Sequence, residues 1–452
     1  MKRIEYVLFV LTMCILLSCN TSKLVKPTPA QSAWADAEIG VIIHYDINVF
    51  APQTFKYSDA STLPGLEVFN PKQLDTDQWL ESATALGAKY AVLVAKHGTG
   101  FCLWPSKANP YHVGNTPWRN GQGDIVADFI RSCKKYGVKP GVYYNTNANS
   151  YYGAGYTKLS PEKQSQYNQA VKQQLTELWT NYGPYFEIWF DGGVMANEEG
   201  GIASDVAQLI RTYQPDAVLF QGPSKAKNLI RWIGNEDGRA PYPKWSTIDA
   251  TTASDGTMEI KNLGGSPDGT IWCPAEADFP NRKKSSWNGG WLWRANEEAF
   301  IFSAEEIVDR YYTSVGMNAN MLVGMVIDTA GLFPENDRQQ FILAGKEIHR
   351  RFGNAIAETS GKGKIISLKI GKEPAKINHV VIQENIVRGE RVRKYTIEAN
   401  VRGQWITLCS GISIGHKRIQ VFDPVITDEI RLRVDEFADT PDIKRLAVYD
   451  IY

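Results

Sequence analysis

Residues 186–193 read FEIWFDGG, an apolar and aromatic run that stops at Asp191 and two glycines. A charge placed directly after Ile188, Trp189 and Phe190 is tolerable only where a strand ends and the carboxylate meets solvent, a ligand or a partner. Near-continuous apolar runs of this length mark strands buried on both faces. The same texture recurs in IGVIIHY (39–45), YAVLVAKH (90–97), KPGVYYN (139–145), AVLFQG (217–222), IRWIGNE (230–236), TIWCPAE (270–276) and NANMLVGM (318–325). Eight such runs set beside helix-period segments predict parallel pairing and a (β/α)8 barrel of the α/β class over residues 33–352. The helices carry their own boundaries. Asp75 with Gln78 predicts a capping box, Asp124 heads a second helix, and Ser160 with Pro161 opens a third that runs to Tyr182 and Gly183. The stretch 237–269, rich in Gly, Pro, Ser and Asp, reads as a long loop.

Outward from the barrel the texture changes twice. Residues 353–364 (GNAIAETSGKGK) read as a linker, and beyond them short alternating runs such as Tyr395, Ile397, Ala399 and Val401, or Ile430, Leu432 and Val434, predict an all-β sandwich over 365–452. At the other end, Lys2 and Arg3 precede an apolar run too short to span a bilayer comfortably, as in an export signal. The LLSC that closes it resembles a bacterial lipobox. This reading makes 1–19 a lipoprotein-type signal peptide, Cys19 the lipidated residue and 20–32 a polar tether, and places the protein outside the cytoplasm, periplasmic or anchored at the outer membrane. The alternative is plain cleaved secretion.

The 452 residues include 49 Lys or Arg and 49 Asp or Glu, and this balance argues against a nucleic-acid binder working through a basic surface. With 43% hydrophobic and 22% charged residues the chain is globular, not disordered. Membrane association is expected only through the lipid anchor, and the oligomeric state is left open. Cys102, Cys133, Cys273 and Cys409 show no CxxC pair and no metal-type spacing, so no metal and no cofactor is expected.

In a barrel of this kind the reacting groups gather where strands end. Two carboxylates stand there: Asp191 after the fourth run and Glu236, in GNEDG, after the sixth. Paired carboxylates across a barrel mouth suit glycoside hydrolysis, one attacking the anomeric carbon and the other protonating the leaving oxygen. Asp237 beside Glu236 favours the acid role for it if the two charges lie close. The bland alternatives are turns, which Asp and NEDG both commonly open. Glu276, ending TIWCPAE, is a rival acid or a substrate contact. His44 and His97 end the first two runs, and a neutral imidazole can both donate to and accept from a sugar hydroxyl. Trp232 and Trp291 offer faces for a sugar ring, Trp291 from the loop WNGGWLW; packing in the core is the common use of such residues.

Taken in order, IIHY, LDTDQWLESATALGAKYAVLVAKH, GFCLWPSK, WFDGG, RWIGNEDG, WCPAEAD and the terminal GISIGHKRI resemble glycoside hydrolase family 29, the α-L-fucosidases, over nearly the whole mature chain. The resemblance implies a retaining exo-glycosidase acting on an oligosaccharide or glycoconjugate, with Asp191 as nucleophile. It is nearest the subgroup acting on branched α-1,3/1,4 linkages, whose acid/base glutamate lies in a GNE motif matched by Glu236, and this ranks Glu236 above Glu276. Three places depart from the family pattern. A paired histidine followed by Asp is here His97, Gly98 and Thr99; a Glu-Trp pair is here Thr54 and Phe55; a Tyr-Ser strand end is here Tyr144 and Asn145. All three fall where contacts to sugar hydroxyls are expected, so the sugar is L-fucose or a relative such as L-galactose. The rival class is a non-catalytic glycan-binding lipoprotein on the same barrel; a metal-dependent hydrolase lacks paired ligands such as HxH.

Overall fold

The computed structural model describes residues 24–451 apart from 225, 253–257 and 261. The signal, Cys19 and residues 20–23 of the tether lie outside the described residues; the rest of the expected tether is corrected, since it enters a helix at Pro29 and the buried Gln31 donates to the carbonyls of Leu229 and Trp272. Eight parallel strands close into a barrel: β1 Ile39–His44, β2 Tyr90–Lys96, β3 Lys139–Tyr144, β4 Glu187–Trp189, β5 Val218–Phe220, β6 Leu229–Trp232, β7 Ala275–Phe279 and β8 Ala319–Val326. Neighbours in sequence are neighbours in space, and β8 returns to β1.

Helix α1, Pro29–Ala35, precedes β1. Six more helices, α2 Thr76–Leu86, α3 Ile125–Tyr136, α4 Pro161–Asn181, α5 Ala203–Tyr213, α6 Ala304–Thr313 and α7 Glu335–Phe352, belong to the barrel's chain alternation. The expected caps form on α2, α3 and α4: Asp75 Oδ1 accepts from Gln78 N, Asp124 Oδ1 from Ala127 N and Ser160 Oγ from Lys163 N. The reciprocal half of the box on α2 is absent, because the Gln78 side chain instead bridges the backbone N–H and carbonyl of Phe333. No α-helix stands between β5 and β6 or between β6 and β7 among the described residues. The stretch 237–269 is not loop throughout: Ala250–Thr252 pairs with Met258–Ile260, and Thr247–Ile248 pairs with Ile271–Trp272.

The pleat divides the strands into two sets. Val41, Ile43, Leu93, Val142, Tyr144, Ile188 and Leu219 face the helices in the largest hydrophobic cluster. Ile42, Val92, Tyr143, Trp189, Phe220 and Ile230 fill the barrel interior, closed below by Trp34 of α1. Alternation with period two is what any strand imposes, and here it decides which residues reach the mouth.

The C-terminal sandwich has two antiparallel sheets. One is ordered β9-β16-β11-β14 and the other β10-β15-β12-β13, with β9 Ala357–Lys362, β10 Ile365–Lys369, β11 Ala375–Glu384, β12 Val392–Val401, β13 Gln404–Gly411, β14 Arg418–Thr427, β15 Glu429–Phe437 and β16 Asp442–Tyr449. The expected linker is thereby corrected, since half of 353–364 is the first sandwich strand, paired with β16. The sandwich packs on the end of the barrel where strands begin. Lys417 is ion-paired with Glu38 just before β1, and Asn318 just before β8 donates to Glu390 at 2.7 Å.

Candidate active site

Above the end of β4 the chain turns through Gly192 and Gly193, with φ of 68° and 79°, conformations that a side chain resists. The turn aims Asp191 back over the barrel, in the same pleat phase as Trp189. Its Oδ2 accepts from Tyr143 Oη at 2.7 Å and Asn145 Nδ2 at 3.2 Å, while the next backbone N–H, of Gly192, is held by Gln221 Oε1 at 3.0 Å. Asn145 is itself pinned, its Oδ1 accepting from the backbone of Asn147 and Ala148. Beneath the same loop the buried Lys96 donates to the carbonyls of Asn145 and Ala148, and burial draws its pKa down to about 7.

A cavity of about 160 Å³ opens here, lined by Ile42, His44, His97, Tyr143, Trp189, Asp191, Glu236, Asp278, Asn288 and Trp291. Both sequence-predicted carboxylates therefore face one cavity, together with both histidines and Trp291. Trp291 tilts over His44 with ring centres 5.0 Å apart. Asn145 touches the site through Asp191. Burial makes both histidines poor bases: the His44 pKa falls to about 3, helped by the neighbouring His97, and that of His97 to about 4. Neutral rings suit uncharged hydroxyls. His44 Nδ1 is buried without a protein partner. A register shift between Val94 and Lys96 on β2 alters the alternation there, so that Lys96 lies over Tyr144 outside the barrel while His97 faces the cavity. Asp237 turns to Lys284 at 3.1 Å, so its charge is matched away from the cavity.

Three expected contacts are corrected. Tyr144 points outward, its hydroxyl donating to Gln174 Oε1 of α4 at 2.6 Å, because inward positions on β3 are Tyr143 and then Asn145. Trp232 does not line the cavity but supports it, its Nε1 donating to Asp278 Oδ1 at 2.7 Å. Glu276 is not at a strand end. The barrel strand runs 275–279, so Glu276 is its second residue and lies in the floor at 0% exposure, accepting from Tyr90 Oη at 2.6 Å and Trp189 Nε1 at 2.9 Å. Of the departures from the family pattern, Thr54 is exposed on its loop, and Phe55 packs edge-on against Tyr57 with ring centres 4.7 Å apart.

The sequence reading missed Tyr143, Trp189, Asp278 and Asn288. Tyr143 and Trp189 share the parity of Asn145 and Asp191, a signal present in the sequence. Asp278 is 3% exposed, and burial, with Glu276 and Glu236 adding to it, raises its carboxyl well above the usual range.

The family model for α-L-fucosidase matches residues 45–346, which span seven of the eight barrel strands and begin just after β1 ends at His44. The chain belongs to the α-L-fucosidase family. It is a glycoside hydrolase of family 29. Alpha-L-fucosidase 1 of Arabidopsis thaliana is 29% identical over 95% of this chain and 90% of its own length. A solved structure from Bacteroides thetaiotaomicron is 39% identical with a TM-score of 0.87, covering 95% of this chain and all of that one. A glycoside hydrolase 29 family member from an unknown rumen bacterium is 30% identical with a TM-score of 0.80, over 95% of this chain and 78% of its own. The barrel followed by antiparallel sheets is thus the arrangement of fucosidase structures, and a fucosylated glycan is the substrate class that the family implies.

Proposed function

We propose that this fucosidase-family enzyme is a retaining exo-α-L-glycosidase that releases a terminal L-fucose, or L-galactose, from a branched glycan through a covalent glycosyl-enzyme. The observation that carries this is the convergence of Asp191 and Glu236 on one cavity with two neutral histidines and Trp291. Both hydrogen bonds to Asp191 fall on Oδ2, which leaves Oδ1 to attack the anomeric carbon. As that C–O bond forms, the glycosidic C–O bond breaks and Glu236 delivers its proton to the departing oxygen. Glu236 then takes a proton from water, which displaces Asp191 and frees the sugar with its configuration retained.

The GNE setting of Glu236 supports action on α-1,3/1,4 branches, and the altered residues at 98 and 99 support a changed glycone preference. We extend the proposal to an exported lipoprotein anchored through Cys19, on the strength of the LLSC sequence.

Asp191→Ala should abolish turnover of aryl α-L-fucosides with the fold intact by circular dichroism. Glu236→Ala should retain activity on good leaving groups and respond to azide. Product stereochemistry followed by NMR over a panel of L-fucosides and L-galactosides completes the test. Binding without release across that panel would instead favour a glycan-binding protein, and azide rescue in Glu276→Ala but not Glu236→Ala would move the acid role.

A further inference from the structure

Which hydrogen bonds the cavity can offer a sugar depends on where His97 carries its single proton. Nδ1 lies 3.0 Å from Tyr57 Oη. Asn48 Nδ2 donates to the same phenol oxygen at 3.1 Å. An amide already donating to that oxygen favours the phenol proton turning to His97 Nδ1, and a neutral ring that accepts at Nδ1 carries its proton on Nε2. Asp46 does not compete, since it lies 4.0 Å from Nδ1 and both its oxygens accept from Thr99 Oγ at 2.8 Å. The ring stays neutral because burial lowers its pKa to about 4, against the opposing charge of Asp191.

The phenol is held from several sides. Tyr156 stacks on it with ring centres 6.0 Å apart, and Ser150 Oγ donates to the Tyr57 carbonyl at 2.8 Å. The absence of a side chain at residue 98 makes the room: a Cβ on Gly98 would lie 2.8 Å from Tyr156 Oη and 3.0 Å from Tyr57 Cε1. The departure at Gly98 and the placement of Tyr57 are thus one arrangement.

We propose that Tyr57 is a positioning residue that fixes His97 in the Nε2–H tautomer, so that the imidazole presents a donor to a sugar oxygen in the cavity. The proposal rests on the glycosidase reading for its ligand but not for its test. Long-range proton–nitrogen spectra of the full chain labelled with 15N-histidine report the tautomer directly, and His97→Gln identifies the His97 signals by their loss. The wild type should show a pyridine-type Nδ1 and a pyrrole-type Nε2. Tyr57→Phe should move both toward averaged values and weaken L-fucose binding by calorimetry about tenfold, the loss of one oriented hydrogen bond, with kcat changed much less than KM. Asn48→Ala, which leaves the phenol in place, should shift the same signals in the same direction and answers the objection that Tyr57→Phe has merely perturbed the fold. A pyrrole-type Nδ1 in the wild type, or signals unmoved in both variants, overturns the proposal. The tautomer found as stated in a chain that hydrolyses no α-L-glycoside overturns the glycosidase reading instead.

Discussion

Tyr143 and Tyr144 are adjacent, both fully buried, and chemically identical, yet one holds Asp191, the proposed nucleophile, and the other a helix. Successive strand residues face opposite sides, so one step along β3 separates the site from the core. The pair gives a controlled prediction. Tyr143→Phe removes a hydrogen bond to the Asp191 carboxylate and should lower kcat/KM for an aryl α-L-fucoside by about ten- to a hundredfold, a charge-assisted bond being worth about 1.5–3 kcal/mol. Tyr144→Phe should leave the kinetics within about twofold and instead cost about 1 kcal/mol of stability, read by urea unfolding. Equal kinetic losses in both variants would mean that the inward and outward assignment on β3 is wrong. At this scale the sequence was legible for Asp191, Glu236, His44 and His97, each announced by a polar residue after an apolar run, and for Trp291, announced by an aromatic and glycine-rich loop. Asp278 was not, because a carboxylate in AEADF looks like surface until the strand is known to begin at 275.

Among the elements, β4 and β7 together build the floor beneath the cavity. Glu187 and Glu276 are both fully buried, and burial together with their mutual charge raises the Glu187 carboxyl well above its usual range while burial raises that of Glu276 to about 7. Trp34 of α1 donates to Glu187 Oε2 and Trp189 to Glu276 Oε2, each at 2.9 Å, so the pair ties the N-terminal helix to an aromatic wall of the sugar cavity. Because the folded state holds a proton at Glu276 that the unfolded chain releases above its ordinary pKa of 4.5, the stability this group contributes is complete below pH 4.5 and is lost as pH rises through about 7. Glu276→Gln, which stays neutral, should therefore flatten the decline in unfolding free energy between pH 5 and pH 8, measured by denaturant titration. An unchanged slope would locate the titration elsewhere. The element boundaries explain why TIWCPAE misled: Ile271 and Trp272 belong to a separate two-stranded sheet, and the barrel strand starts three residues later. Periodicity marks an apolar run but does not say which sheet receives it.

For the whole molecule, the sandwich braces the barrel at the end opposite the cavity. Buried Glu390 accepts from Ser246 N at 3.0 Å and Asn318 Nδ2 at 2.7 Å, joining the sandwich both to the β6–β7 connection and to the start of β8. Glu390→Ala strands those donors and should cost about 1–3 kcal/mol in thermal or urea unfolding while leaving kcat and KM unchanged. A matching loss of activity would show that the brace reaches the site. Local sequence by itself determined seven of the eight barrel strands, the caps of α2, α3 and α4, the sandwich and the two carboxylates beyond strand ends, because burial on two faces, capping chemistry and the cost of an isolated charge are all written in nearest neighbours. What only the tertiary structure decided was which side each residue faces, where β7 begins, that among the described residues two helices of the ideal alternation are missing, and that Tyr57 reaches His97 across forty positions of chain. Those outcomes depend on strand register and loop packing, which are set by contacts between segments far apart in sequence.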